Sequence, residues 1–421
     1  MPRTQRRHRW AGRKAATDDA HVLDITACFC KGDHGGVLRR ATEIEKFTES
    51  RPAQRLDIVS QAAVKGRLYG LDAMRGIAAI LVLLFHVGQV VPSSILQASH
   101  GYLAVDLFFM LSGFVIAQAY EKRLALGLSL REFTIIRLIR LYPLYIVGIA
   151  LGCLVFVLQI ARHSDNAPPL MNLLLWALTN AVFLPAPNAT LLFPLNAAAW
   201  SLLFEILVNL AFAAILFKSS RQQLALLIAI CAAILFFYCA SHASLNAGWG
   251  RGNAVVGLAR TGFAFPIGML LFRARVGRPH IQSWARFFLP NLALLPLLTM
   301  DFGHSDAAWS DLLIVLLIFP PLVLVVASSK TPAGFEWISG FVGDVSYPLY
   351  AIHLPLLMLA AEAGWAPDSA ATAFTLAFTT LSVALAILLS RFYDAPIRSR
   401  ISRTIGRRES APPQTDGSSA E

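Results

Sequence analysis

The chain has 421 residues, of which 56% are hydrophobic and only 14% charged. Soluble domains carry roughly 25% charged residues, so the composition excludes an ordinary soluble enzyme and points to a membrane. The formal net charge of +11 gives no indication of nucleic-acid binding, because the positive residues gather in loops and at the ends, as the positive-inside rule expects.

Residues 1–66 are polar and open on the Arg-rich run MPRTQRRHRWAGRK. They lack the apolar core of a secretory signal, and their composition is that of a disordered cytoplasmic tail able to touch a lipid surface. Cys28 and Cys30 lie here with His21 and His34 nearby. Their spacing matches no common zinc framework, so they read as free thiols and no metal is expected. Cys153, Cys231 and Cys239 fall in apolar runs and read as small core residues.

From residue 67 the chain is dominated by apolar runs long enough to span a bilayer. They are continuous rather than alternating, which favours helices over a barrel. The predicted fold class is therefore all-α, a polytopic transmembrane helix bundle. Its spans are 71–91, 102–120, 141–160, 198–217, 223–241, 253–273, 284–300, 309–328, 345–363 and 371–391. The run 170–186 is apolar too, but if it crossed, Lys218, Arg221, Arg273, Arg275, Arg278, Lys330 and the Arg391–Arg408 stretch would all lie outside. Treated as a re-entrant or interfacial helix, it leaves all of them on the cytoplasmic side. The organisation expected is a tail over 1–66, a transmembrane domain over 67–400 and a polar tail over 401–421, with both termini cytoplasmic.

This orientation gives depths to the ionisable residues inside the spans. Arg75 and His86 stand eleven residues apart on the first span, about 16 Å along a helix. Arg75 therefore sits at the cytoplasmic headgroups and His86 in the outer half. Asp106 comes one turn into the second span from outside, and Glu205 about two turns into its own. An imidazole and two carboxylates facing one cavity would suit a general base whose tautomer a carboxylate fixes. The same three groups would suit a proton relay in a transporter or flippase, although the two related halves common in transporters are not evident. His353 lies mid-span, and a plain hydrogen bond to a neighbouring helix explains it equally well. Arg137 and Arg140, spaced i and i+3, share a helix face at the level of Arg75. They suit either headgroup anchoring or phosphate binding.

Six stretches taken together are similar to the membrane acyltransferase-3 family, bacterial O-acyltransferases of envelope and secreted glycans. LDAMRGIAAILVLLFH resembles its first-span motif through Arg75 and His86, and GYLAVDLFFMLSGFVI its second through Asp106, Phe109, Ser112 and Gly113. FTIIRLIRLYPLY matches an Arg-x-x-Arg element at Arg137 and Arg140, and AAWSLLFEILVN matches at Trp200, Ser201 and Glu205. SYPLYAIHLP matches at Ser346, Tyr347, Tyr350 and His353, while FYDAPIR is an imperfect match to the closing region, with Asp394 spaced one residue short. The resemblance covers roughly residues 70–400 and implies a multi-pass protein of the bacterial inner membrane. It implies transfer of an acyl group, acetyl above all, from cytoplasmic acyl-CoA to a sugar hydroxyl. Arg137 and Arg140, helped by Arg75, would hold CoA phosphates. His86 would be the base, with Asp106 or Glu205 orienting it. Ser112, Ser201 and Ser346 are candidate nucleophiles for a two-step route, although direct attack needs none of them. The partners implied are the lipid bilayer, acyl-CoA, a glycan or glycoside acceptor and, where a second transfer is needed, a separate transferase. Acyl-CoA enters as co-substrate, and no permanently bound cofactor is expected.

Overall fold

The computed structural model describes residues 67–301, 307–365 and 368–401. The predicted tails over 1–66 and beyond residue 401, with Cys28 and Cys30, lie outside the described residues. The described residues form a helix bundle, with two residue-pairs of parallel strand, Ile281–Gln282 and Ser329–Lys330, as its only named β-structure.

The helices are α1 (Tyr69–Val90), α2 (Ala104–Ala125), α3 (Leu130–Ala161), α4 (Leu170–Ala181), α5 (Trp200–Ala214) and α6 (Arg221–Cys239). They continue as α7 (Ala254–Arg275), α8 (Trp284–Thr299), α9 (Ala307–Ala327), α10 (Phe335–Glu362) and α11 (Ala371–Leu389). α9 contains a π-turn at Ile314–Ile318, and α11 runs on through a second π-turn to Ile401. Nine helical segments among the described residues are long and apolar enough to cross a membrane; α4 and α8 are shorter. The chain is a multi-pass membrane protein.

Contacts between helix ends show which elements traverse the bundle. The start of α8 adjoins the end of α9 through the paired strands. At the other end, Leu298 of α8 accepts the His100 amide, and Asp311 near the start of α9 meets the His100 ring. α8 therefore runs from one end of the bundle to the other despite its 16 residues, about 24 Å. α4 does not. The segment that leaves α3 near Arg162, beside Glu362, returns through Leu192 to pair with Trp249 at the same end before α5 begins. This is the predicted architecture, ten crossings with one non-crossing apolar helix.

Two helix boundaries differ from the sequence expectation in ways that matter. α3 begins at Leu130 rather than near 141, because Ser129 and Glu132 form a capping box. The serine hydroxyl takes the Glu132 amide while the glutamate takes the Ser129 amide. Arg137 and Arg140 are thus held on a rigid helix and not on a loop. α10 begins at Phe335, ten residues early, after Gly334 with a positive φ of 86°, a conformation that suits glycine.

Close helix crossings set the geometry of the interior. α2 and α7 meet at Gly113 and Gly268, where a Cβ on either would overlap the opposite backbone. α1 and α10 also pack closely at Gly76 and Gly343, where a Cβ would overlap the Val342 and Asp72 side chains, respectively. Small residues allow backbones to approach closely in lipid, where dispersion and polar contacts replace the hydrophobic drive between helices. The first crossing brings Asp106 to Arg260; the second brings His86 to His353.

Candidate active site

A cavity of about 210 Å³ lies among α1, α2, α3, α5 and α10. At one end its wall carries the guanidinium groups of Arg75, Arg137 and Arg140 with the Glu205 carboxylate. The middle is apolar, formed by Val105, Phe108, Phe109 and Leu202, and Val115 and Ile116, a helical turn past Ser112, add apolar wall beside the arginines. Hydroxyls are spaced along it on Ser112, Ser201, Ser346, Tyr347 and Tyr350. The sequence elements that bring these residues together are far apart in the chain, so their convergence is a property of the fold.

The charges at the arginine end are incompletely paired. Arg137 donates to Glu205 at 2.9 Å, and Ser112 donates to the same oxygen atom of Glu205 at 3.2 Å. The Arg137 Nε is buried and has no partner. Arg75 reaches Asp72 at 3.2 Å, and Asp72 is also bound by Arg67 at 2.6 Å. Arg140 makes no ion pair or hydrogen bond among the described residues. Buried polar groups are ordinarily satisfied, so the unpartnered Arg137 Nε, beside the exposed Arg140 guanidinium, is suited to an anionic ligand with several oxygen atoms.

The serines are mostly engaged elsewhere. Ser201 shares a 2.6 Å bond with the Tyr350 hydroxyl, which also donates to the Ala198 carbonyl at 2.9 Å. Ser346 donates to the Gly343 carbonyl at 2.7 Å. The Tyr347 hydroxyl binds the Leu141 carbonyl at the bend by Pro143. None of the three serines hydrogen-bonds a histidine, the partner a nucleophilic serine requires.

His86 and His353 form a pair one side-chain layer beyond the cavity. Their ring nitrogens, His353 Nε2 and His86 Nδ1, are 3.2 Å apart. His86 Nδ1 also faces the Val82 carbonyl at 2.9 Å, and His353 Nδ1 faces the Tyr350 carbonyl at 2.9 Å. A carbonyl can only accept, so both Nδ1 atoms carry the proton in the neutral rings. The Nε2 of His86 is thereby left as a free lone pair. Tyr350 connects the two parts, since it lines the cavity and its ring adjoins His353 at 5.7 Å.

The carboxylates expected to orient His86 do not touch it. Asp106 is fully buried and bound by Arg260 through contacts of 2.6 and 3.0 Å. Arg260 spends its remaining donors on the Ala247 and Tyr102 carbonyls, and its guanidinium lies 5.3 Å from the Trp200 ring. Asp106 and Trp200 therefore belong to a strut beside the cavity, not to its wall. The reason is electrostatic: a carboxylate without water needs a counter-ion, and Arg260, hidden in the apolar span 253–273, is the nearest. Glu205 lies at the arginine end, one partner of Arg137, and not beside His86. Sequence reasoning also missed a second buried set, in which Asp311 binds His100 at 2.7 Å, the Tyr102 hydroxyl at 2.7 Å and the Leu245 amide at 2.9 Å. A lone arginine and a lone aspartate in apolar spans were the available signals, since each needs a partner of opposite charge.

Comparison with known proteins gives a consistent answer. Residues 68–391 match the acyltransferase domain model of the Acyl_transf_3 family. The chain is similar to "Protein 2 in picA locus" of Rhizobium radiobacter, at 36% identity over 178 residues, covering 39% of this chain and 91% of that protein. No solved structure matches. With a family match spanning most of the bundle, including both histidines and all three cavity arginines, this chain belongs to the Acyl_transf_3 family and is a membrane acyltransferase.

Proposed function

We propose that the protein transfers an acyl group, acetyl being the one expected, from acyl-CoA to a sugar hydroxyl of an envelope or secreted glycan. The observation that carries this is the arginine end of the cavity: Arg140 with no hydrogen bond or ion pair among the described residues and Arg137 with a buried free Nε. CoA is a substrate rich in phosphate oxygens, and guanidinium forks fit them bidentately. In this reading the arginine end faces the cytoplasm of the bacterial cell, both termini lie there, and the membrane is the inner one.

The CoA phosphates bind Arg75, Arg137 and Arg140, and the thin pantetheine arm runs along the apolar middle toward Tyr350. The thioester then lies near the histidine pair, about 16 Å along α1 from Arg75. The acceptor hydroxyl enters from the opposite end of the bundle. His86 Nε2 takes the hydroxyl proton as the sugar oxygen bonds to the thioester carbon. The carbon–sulfur bond breaks, and the proton passes from His86 to the departing CoA sulfur. Atoms balance with no further reactant, and with Ser112, Ser201 and Ser346 bonded to groups other than a histidine, direct attack is the simpler route.

A transporter that relays protons through His86, Asp106 and Glu205 is less consistent with this geometry. Asp106 is locked to Arg260 and Glu205 to Arg137, and no hydrogen bond among the described residues links either carboxylate to His86.

The test compares three strains of the native host: wild type, a deletion, and a replacement carrying His86→Ala. Mass spectrometry of envelope glycans, exopolysaccharide and secreted glycosides should find an alkali-labile ester present only in wild type. An ester pattern identical in all three strains would overturn the reading.

A further inference from the structure

Resting on the transfer reading, we propose that His353 is the positioning residue for His86 and does with a neutral imidazole what a carboxylate more often does for a histidine base. It would hold His86 in the working tautomer and share the positive charge that develops on it.

The argument begins with the protons. His353 Nδ1 faces two backbone carbonyls of its own helix, Tyr350 at 2.9 Å and Leu349 at 3.2 Å. Neither carbonyl can donate, so Nδ1 is the protonated nitrogen and Nε2 keeps its lone pair. That lone pair lies 3.2 Å from His86 Nδ1. The second acceptor at His86 Nδ1 is the Val82 carbonyl at 2.9 Å. The His86 Nδ1–H therefore has two acceptors and no competing donor, which leaves His86 Nε2 unprotonated and available to take a proton. Had His353 been turned the other way, two N–H groups would have faced each other.

The geometry is built and not incidental. His353 is 1% exposed, so its orientation is set by packing and by those carbonyls. Its ring adjoins the Tyr350 ring, and Tyr350 is anchored in turn by Ser201 and the Ala198 carbonyl. The crossing of α1 and α10 at Gly76 and Gly343 keeps the two helices close enough for the rings to meet, with centroids 5.0 Å apart.

A neutral partner has a specific consequence in a membrane. A carboxylate beside His86 would be a buried charge in the resting enzyme and would need a counter-ion of its own, as Asp106 needs Arg260. An imidazole carries no charge at rest. When His86 takes the acceptor's proton at Nε2, its Nδ1–H becomes a charge-assisted donor to His353 Nε2, and the charge is spread over two rings. The proton then leaves with CoA, and both rings return to neutrality.

The experiment uses the full-length protein purified in detergent, acetyl-CoA as donor and de-esterified host exopolysaccharide as acceptor. His353→Phe, which fills the space without accepting, should lower kcat about 10- to 100-fold and leave the acetyl-CoA KM within about twofold. His353→Gln, whose side-chain oxygen can accept the His86 proton, should recover part of that loss. Equal losses in the Phe and Gln variants, or wild-type kcat in the Phe variant, would overturn the role. A spectroscopic check needs no variant: ¹⁵N spectra of histidine-labelled wild type should show both rings protonated at Nδ1 alone. A proton on Nε2 of either neutral ring would contradict the proposal. Should wild type consume no acetyl-CoA under any condition, the transfer reading falls, and the ¹⁵N spectrum still decides whether the pair is arranged as described.

Discussion

Two charged regions of this bundle invite comparison, because they contain the same chemistry in opposite states of completion. Beside the cavity, Asp106 and Arg260 are buried together, and every nitrogen of the guanidinium has a protein acceptor. At the arginine end, three guanidiniums meet Glu205 and Asp72, and donors on Arg137 and Arg140 are left over. A completed buried ion pair has no capacity left for a ligand, and removing one partner leaves a charge without compensation. An incomplete one attracts whatever can complete it. The two regions differ in burial as well: Arg260 and Asp106 are 1% and 0% exposed, whereas Arg137 and Glu205 are 11% and 20% exposed and Arg140 is exposed.

The largest effect expected is at the histidine pair. His86→Ala should lower transfer by about 10²- to 10⁴-fold, the usual contribution of a general base, while the protein remains inserted and binds donor as before. Near-normal kcat in that variant would move the base elsewhere. Next, Asp106→Ala should destabilise the fold by about 3–5 kcal/mol, because it strands the Arg260 charge. Thermal unfolding of the detergent-solubilised protein measures this, and the double change Asp106→Leu with Arg260→Met should recover most of the loss. If Asp106→Ala keeps its Tm yet loses transfer, Asp106 belongs to the site and the comparison breaks.

At the cavity, Arg140→Ala should raise the acyl-CoA KM about tenfold with kcat little changed, since a hydrogen bond to a charged group is worth about 1.5–3 kcal/mol. An unchanged KM would reduce Arg140 to a headgroup anchor. Glu205→Gln should act more weakly and with the opposite sign. It removes a negative charge that competes for Arg137, so the acyl-CoA KM should fall. A drop in kcat at constant KM would instead place Glu205 at the reacting atoms.

Much of the fold was legible because lipid imposes strong rules. Long apolar runs marked the spans, and the distribution of Lys and Arg identified 170–186 as the run that does not cross. The boundaries at Leu130 and Phe335 were less visible, although the Ser129–Glu132 box was present in the sequence as S-x-x-E. Within the site, the common face of Arg137 and Arg140 followed from helical spacing, and the level of Arg75 from depth. Depth alone could not pair the charges. Asp106, Glu205 and His86 were assigned similar depths; rotation about the helices turned Asp106 to Arg260 and His86 to His353, while Glu205 lies deeper than expected, at the level of Arg137. Rotation is set by crossings such as Gly113 with Gly268, which are long-range properties that no local pattern encodes.

The central claim is that binding belongs to the arginine end of the cavity and chemistry to the histidine pair beyond it, and one measurement addresses it directly. Radiolabelled acetyl-CoA would be titrated against wild type, His86→Ala and Arg140→Ala, each reconstituted in lipid nanodiscs, with bound label and label transferred to host exopolysaccharide counted separately. The account predicts that His86→Ala binds like wild type and transfers about 10²- to 10⁴-fold more slowly, whereas Arg140→Ala binds about tenfold more weakly but transfers when saturated. Loss of binding in His86→Ala together with unchanged binding in Arg140→Ala would contradict it.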